Sequence, residues 1–167
     1  KGVGPGKTYA FRADIDALPI QEETDVEFIS VHSGVMHACG HDGHIAVLLA
    51  FARELAAKKE TLNGTCYLCF QQGEEIGKGQ DQIISYLKNA GGITAVLACH
   101  LWVDIPVGKI SLRKGPVMAG TTSFQIRITG KGCHGSRPDQ GIDPINAAIT
   151  LIGQAIRLKD REFSPLQ

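Results

Sequence analysis

No charge of one sign prevails in this chain. Lys and Arg number 17, Asp and Glu number 17, and the formal net charge is zero. Without a basic excess there is no electrostatic means of gathering nucleic acid or an anionic membrane surface, so neither is expected as a partner. Long apolar runs are also missing; none approaches the roughly 20 residues that a bilayer-spanning helix needs. Residues 1–7 have no apolar middle and do not read as a signal peptide. Cysteine is sparse and odd in number, at five. That speaks against a disulfide framework and for free or metal-bound thiols in a reducing compartment, so the expected location is cytoplasmic. Gly6-Lys7-Thr8 is a near-match to a phosphate-binding loop, but that motif requires glycine where Lys1 stands. Internal repeats and low-complexity tracts are absent.

What remains is concentrated. Met36-His37-Ala38-Cys39-Gly40-His41-Asp42-Gly43-His44 holds three of the six histidines, one cysteine and one aspartate. A helix is expected directly after it, over residues 42–59, because Ile45, Leu48, Leu49, Ala52, Leu55 and Ala56 fall on one face. A thiolate and an imidazole two residues apart at a helix start can grip a divalent metal, but two ligands do not make a site.

The rest of the chain supplies more. Residues 1–7 are Gly-rich and read as a loop or hairpin tip. Residues 8–13 read as a buried strand ending in Asp14-Ile15-Asp16. Carboxylates at the carboxyl end of a strand lie where open α/β sheets place ligands, although for either one alone capping the turn before Pro19 is the more ordinary reading. Residues 21–33 read as a surface excursion. Asn63-Gly64 reads as a turn, and residues 65–72 as a second strand. Cys66 and Cys69 in it have the spacing of a metal knuckle, but residues three apart on a strand face opposite ways and read as core thiols. Gly73-Glu74-Glu75-Ile76-Gly77 follows. A second helix is expected over residues 80–89, with Ile83, Ile84 and Leu87 inward, then a third strand over 93–99 with His100 at its end. Strands alternating with helices give an α/β fold with a parallel sheet.

The texture changes near residues 118–120, so a first domain is placed at 1–118 and a second at 119–167. Residues 121–129 alternate as a half-exposed antiparallel strand should. A flexible loop carrying His134 comes next. Asp143-Pro144 then opens a third helix as N-cap and first residue, with Ile145, Ala148, Ile149, Ile152 and Ile156 on one face. One strand and one helix cannot bury a core, so this second unit reads as incomplete.

Cys39, His41, Glu75 and His100 thus stand at equivalent helix starts and strand ends, which converge on one edge of a parallel sheet. Thiolate, imidazole and carboxylate together suit zinc, manganese or cobalt, with zinc favoured by the thiolate. In the doublet Glu74-Glu75, a cation can bind one carboxylate and leave the other free to take a proton from the water the metal activates. Each feature alone has a plain structural reading: a solvated acidic pair, or a satisfied core histidine. Their joint placement is harder to explain that way. His37 and His44 read as surface residues or as supports behind the ligands.

These residues resemble a known family. Arg12-Ala13-Asp14-Ile15-Asp16-Ala17-Leu18-Pro19-Ile20 and residues 35–44 are similar to the metal-dependent N-acyl amino acid amidohydrolases. That is the hippurate hydrolase and auxin-conjugate hydrolase branch of the aminoacylase/carboxypeptidase metallopeptidases. The likeness continues through residues 70–75, Cys99-His100-Leu101-Trp102, residues 130–135 and Asp143-Pro144-Ile145. It implies a catalytic α/β domain with two divalent metal ions (zinc or manganese, with cobalt and nickel admissible). It also implies an inserted α+β lid through which subunits form a homodimer. Cys39, His41, Glu75 and His100 would be metal ligands and Glu74 the general base. His134 would be the lid histidine that steadies the oxyanion, and Asp14 and Asp16 would support the site. The substrate would be a small N-acyl amino acid; a dipeptidase or carboxypeptidase is the alternative within the family, and a non-catalytic metal-binding fragment the alternative outside it. Where relatives read Gln-Pro-Ala-Glu-Glu, this chain has Gln72-Gly73 before Glu74. Relatives are also more than twice as long and draw a further metal-binding histidine from a later stretch, so the chain reads as the middle of such an enzyme.

Overall fold

The computed structural model describes residues 1–118, 120 and 122–162, in two compact units, Lys1–Ile110 and Ser111–Gln167. The division follows Ile110, earlier than the textural change near residues 118–120.

The first unit is a three-stranded parallel sheet in the order β2-β1-β3. Strand β1 (Gly4–Asp14) is central, β2 is Asn63–Gln71 and β3 is Ile93–Ala98. Two expectations are corrected here. Residues 4–7 are no loop but the start of β1, and Asn63-Gly64 is no turn but the start of β2, paired through Gly4↔Asn63. A glycine-rich sequence hides this pairing, which close backbone contact requires. Gly64 has φ +92°, and a Cβ there would lie 2.1 Å from the carbonyl oxygen of Lys7.

The connecting helices are α1 (His41–Ala57) and α2 (Gln80–Ala90). Phe11 of β1 packs on Phe51 of α1, and Tyr67 of β2 on Tyr86 of α2. Phe11 pairs in register with Leu68, and Ala10 with Tyr67. Alternation along the strand therefore puts α1 and α2 on opposite faces, as right-handed crossovers in opposite directions require. Ala10, Ala13, Leu48 and Leu87 form the buried apolar core. The inward stripe of α1 is His41, His44 and Leu48. Leu49 and Ala56, expected inward, are exposed, because two histidines rotate the buried face toward the helix start. In α2, Leu87 is buried and Ile84 exposed.

In the second unit, helix α3 spans Pro144–Glu162, with Asp143 Oδ1 accepting the Ile145 amide at 2.8 Å as the cap. Its expected inward residues Ile145, Ile149, Ile152 and Ile156 are all exposed. The strand expected over residues 121–129 begins at Thr121, outside the described residues, as does Ala119 at the expected start of the second domain. Residues 122–129 form no strand, because no described segment pairs with them. An isolated bridge joins Lys131 to Ile142.

Gly64→Ala should lower the unfolding free energy by about 3 kcal/mol, from left-handed strain and the clash with Lys7. Gly77→Ala, with φ +65° but open space around it, should cost about 1 kcal/mol. Urea midpoints measure both, and equal losses would contradict the close strand approach.

Candidate metal centre

The carboxyl ends of the three strands lie at one edge: Asp14 pairs with Gln71, and Arg12 with Ala98. Just beyond stand Asp16, Glu74-Glu75 and His100. The fourth contribution comes from the start of α1. Gly40, at φ +95°, turns the chain into that helix between Cys39 and His41. Glu74 and Glu75 occupy a 3₁₀ turn, Glu74–Ile76, entered through Gly73 at φ +67°. At this φ an L side chain is strained, which accounts locally for glycine there.

All four residues expected as ligands come together, with Glu74 beside them. Cys39 Sγ lies 3.5 Å from His100 Nε2. His41 Nε2 lies 3.7 Å from Glu75 Oε1 and 3.9 Å from Glu74 Oε2. One donor atom from each of Cys39, His41 and His100 falls within 4.8 Å of the others, and the same holds for His41, Glu74 and Glu75.

Backbone carbonyls fix the tautomers. His41 Nδ1–H donates to the Asp16 carbonyl at 2.9 Å, and His100 Nδ1–H to the Leu101 carbonyl at 2.5 Å. A neutral ring in each case then presents its Nε2 lone pair to the cluster, the arrangement of metal-ligating histidines. His41 is fully buried, and its Nε2 has no hydrogen-bond partner. A buried acceptor left unpaired is costly unless something occupies the space before it. A divalent cation fits that place, and the sulfur, imidazole and carboxylate set fits zinc-like ions.

The electrostatics agree. Burial, then the Glu75 hydrogen bond and the negative charge of Glu75, Glu74 and Asp14, push the Cys39 thiol up to about 11. A cation would reverse that balance and draw off the proton.

Asp14 and Asp16 do more than cap a turn. Asp14 is 1% exposed. It accepts from His44 Nδ1–H, pairs with Arg12 Nη1 at 2.8 Å and lies 3.7 Å from His41 Nε2. Burial pushes its carboxyl up, but the His44 hydrogen bond and the Arg12 guanidinium outweigh that and hold it below its usual value. Asp16 accepts the Glu75 amide at 3.0 Å. Burial raises its carboxyl too, and the amide hydrogen bonds from Glu75 and Glu74 bring it down further. It thereby ties the acidic turn to the end of β1. His44 is buried, so the surface reading fails for it, while His37 is half-buried. The available signal was helical spacing: position 44 is three residues after 41, on the inward stripe. His134 lies in the second unit. Its Nδ1 accepts the Ser136 amide at 3.2 Å, so a neutral ring carries its hydrogen on Nε2. Cys66 and Cys69 are free and partly buried.

Comparison with known proteins gives a consistent result. Peptidase family M20/M25/M40 matches residues 10–164. The N-acetyl-L-cysteine deacetylase of Bacillus subtilis is 43% identical over 99% of this chain and 40% of its own length. The N-acyl-L-amino acid amidohydrolase of Geobacillus stearothermophilus is 41% identical over 99% of this chain and 45% of its own. Thermostable carboxypeptidase 1 of Saccharolobus solfataricus is 42% identical over all of this chain and 43% of its own. The chain thus spans less than half the length of these relatives. The crystal structure of a dinuclear metal-binding peptidase from Bacillus subtilis aligns with TM-score 0.65 and 42% identity, over 70% of this chain and 32% of that one. A crystal structure assigned to an aminohydrolase of methicillin-resistant Staphylococcus aureus aligns with TM-score 0.80 and 34% identity, over 97% of this chain and 43% of that one.

Because the Asp14 pKa is lowered on folding, its charge stabilises the fold above the unfolded value of about 4, and that contribution is lost as pH falls through the folded value. Asp14→Ala should therefore cost about 3 kcal/mol at neutral pH in the metal-free protein, with the difference shrinking below about pH 4. Denaturation against pH measures it, and a constant difference down to acid pH would refute the assignment.

Proposed function

Because the chain belongs to peptidase family M20/M25/M40, we propose that it forms the metal-binding part of a hydrolase cleaving the amide bond of N-acyl amino acids. The observation that carries this reading is the buried, unpaired Nε2 of His41, facing Glu74 and Glu75 on the ring that also neighbours Cys39 and His100. Cys39, His41, Glu75 and His100 would hold two divalent ions, zinc or manganese, with further ligands from the remainder of the longer protein. When bound, the ions supply the Lewis acidity that makes water nucleophilic near neutral pH and polarises the scissile carbonyl.

The rest is done by this chain's own groups. Asp16, through the Glu75 amide, holds the acidic turn so that Glu74 and Glu75 present their carboxylates side by side. Glu75 is given to the metal, and Glu74 takes the proton of the attacking water and hands it to the departing amine nitrogen. His134 Nε2–H of one copy would donate to the carbonyl oxygen at the site of a second copy as that oxygen becomes negative. In this reading the first unit is catalytic, and the second belongs to a lid through which two copies pair. The free thiols support a reducing, cytoplasmic setting. No described helix is long and apolar enough to cross a membrane.

A carboxypeptidase among relatives of similar identity supports a second reading, a peptide substrate. Assaying the complete protein on N-acetyl amino acids beside dipeptides separates the two. Chelation should abolish turnover of either class, and divalent metal should restore it. Glu74→Gln should retain metal and lose about 10²–10⁴-fold in kcat, read from metal content and steady-state kinetics. Near-normal kcat in that variant would remove Glu74 from the role of base.

A further inference from the structure

Three histidines crowd the strand-end edge, and they are not equivalent. The rings of His44 and His100 have centroids 4.5 Å apart, and those of His41 and His44 5.4 Å. His44 also lies within ligating reach of Asp14 and His41. By distance alone it could be counted a metal ligand. Its hydrogen bonds decide otherwise.

The Leu101 amide donates to His44 Nε2 at 2.8 Å. A backbone N–H can only donate, so this nitrogen must carry the lone pair and the hydrogen must sit on Nδ1. Nδ1–H then donates to Asp14 Oδ1 at 2.5 Å. Both nitrogens are spent, the ring is 1% exposed, and no lone pair remains for an ion. His41 and His100 do the reverse, each donating Nδ1–H to a carbonyl and turning Nε2 to the cluster, unpartnered in His41 and against the Cys39 sulfur in His100.

The bond to Leu101 falls at a sensitive place. The peptide it holds joins His100 to Leu101, and the Leu101 carbonyl is the group that orients the His100 ring. His100 stands two residues beyond the end of β3, where no sheet pairing constrains it. A second clasp acts on the same residue. Gly43 lies under the Leu101 side chain, and a Cβ there would come within 2.2 Å of Leu101 Cδ1. The first turn of α1 therefore grips the chain after His100 by a hydrogen bond and by close packing.

We propose that His44 is a positioning residue: it locks the His100–Leu101 peptide to Asp14 at the end of β1, and so sets where His100 Nε2 stands against Cys39. This deepens the metal-centre reading and rests on it. Removing such a support behind a ligand typically lowers metal affinity or activity by about 10–100-fold.

The test uses cobalt(II) as the probe in the complete protein, with His44→Asn, His44→Gln and Cys39→Ala. Asn can still donate to Asp14 but is too short to reach Leu101, whereas the longer Gln can accept the Leu101 amide. His44→Asn should bind cobalt about 10–100-fold more weakly. It should also shift the thiolate-to-cobalt absorption and lower kcat more than it raises KM, while the metal-free protein melts near the parent temperature. His44→Gln should recover most of the affinity and the parent spectrum. Parent-like cobalt affinity and absorption in His44→Asn would overturn the inference. So would equal losses in Asn and Gln that follow a drop in metal-free melting temperature, since that pattern marks packing alone. If the parent binds no cobalt and Cys39→Ala changes nothing, the metal-centre reading fails first and this inference with it.

Discussion

The strand-end edge depends on one imidazole with one nitrogen committed and the other left over. His41 is fully buried, and its Nδ1–H is fixed on the Asp16 carbonyl, so the ring cannot turn to satisfy the second nitrogen. Nε2 is left among the carboxylates of Asp14, Glu74 and Glu75. In a poorly solvated place this arrangement is unfavourable on its own and favourable around a cation. The rest of the edge can be understood as what holds that imbalance in place.

Two ties do most of the holding, and both run to the end of the central strand. Asp16 anchors the Glu74-Glu75 turn through the Glu75 amide. Asp14, braced by Arg12, anchors His44 and through it the segment after His100. Arg12 is itself steadied by Gln71, the last residue of β2. Each neighbouring strand is therefore referred to β1, which explains why two aspartates two residues apart both face inward here. Their charges are kept by specific donors and not by solvent: amides for Asp16, an imidazole and a guanidinium for Asp14.

The second unit has a different character. Its helix is well capped by Asp143, yet the isoleucines that should face a core are exposed. An amphipathic helix draws most of its stability from packing its apolar face, which local propensity does not replace. Within the described residues this unit offers His134 and a capped helix, but no sheet to lay the helix on.

Much of the first unit was legible in the amino-acid order. Alternating strands and helices gave the parallel sheet, and the clustering of Cys39, His41, Glu74, Glu75 and His100 followed from strand ends sharing an edge. These are local patterns combined with a strong topological rule, and they needed no coordinates. Side-chain rotation and hydrogen-bond partners are different in kind, because they depend on residues distant in the chain. That α1 turns its histidines inward and leaves Leu49 exposed, that Gly4 pairs with Asn63 of β2, and that His44 spends both nitrogens on Asp14 and Leu101 are facts of tertiary packing. The sequence determined which groups could meet; only the folded chain decided which histidines turn a nitrogen to the cluster and which one spends both on support.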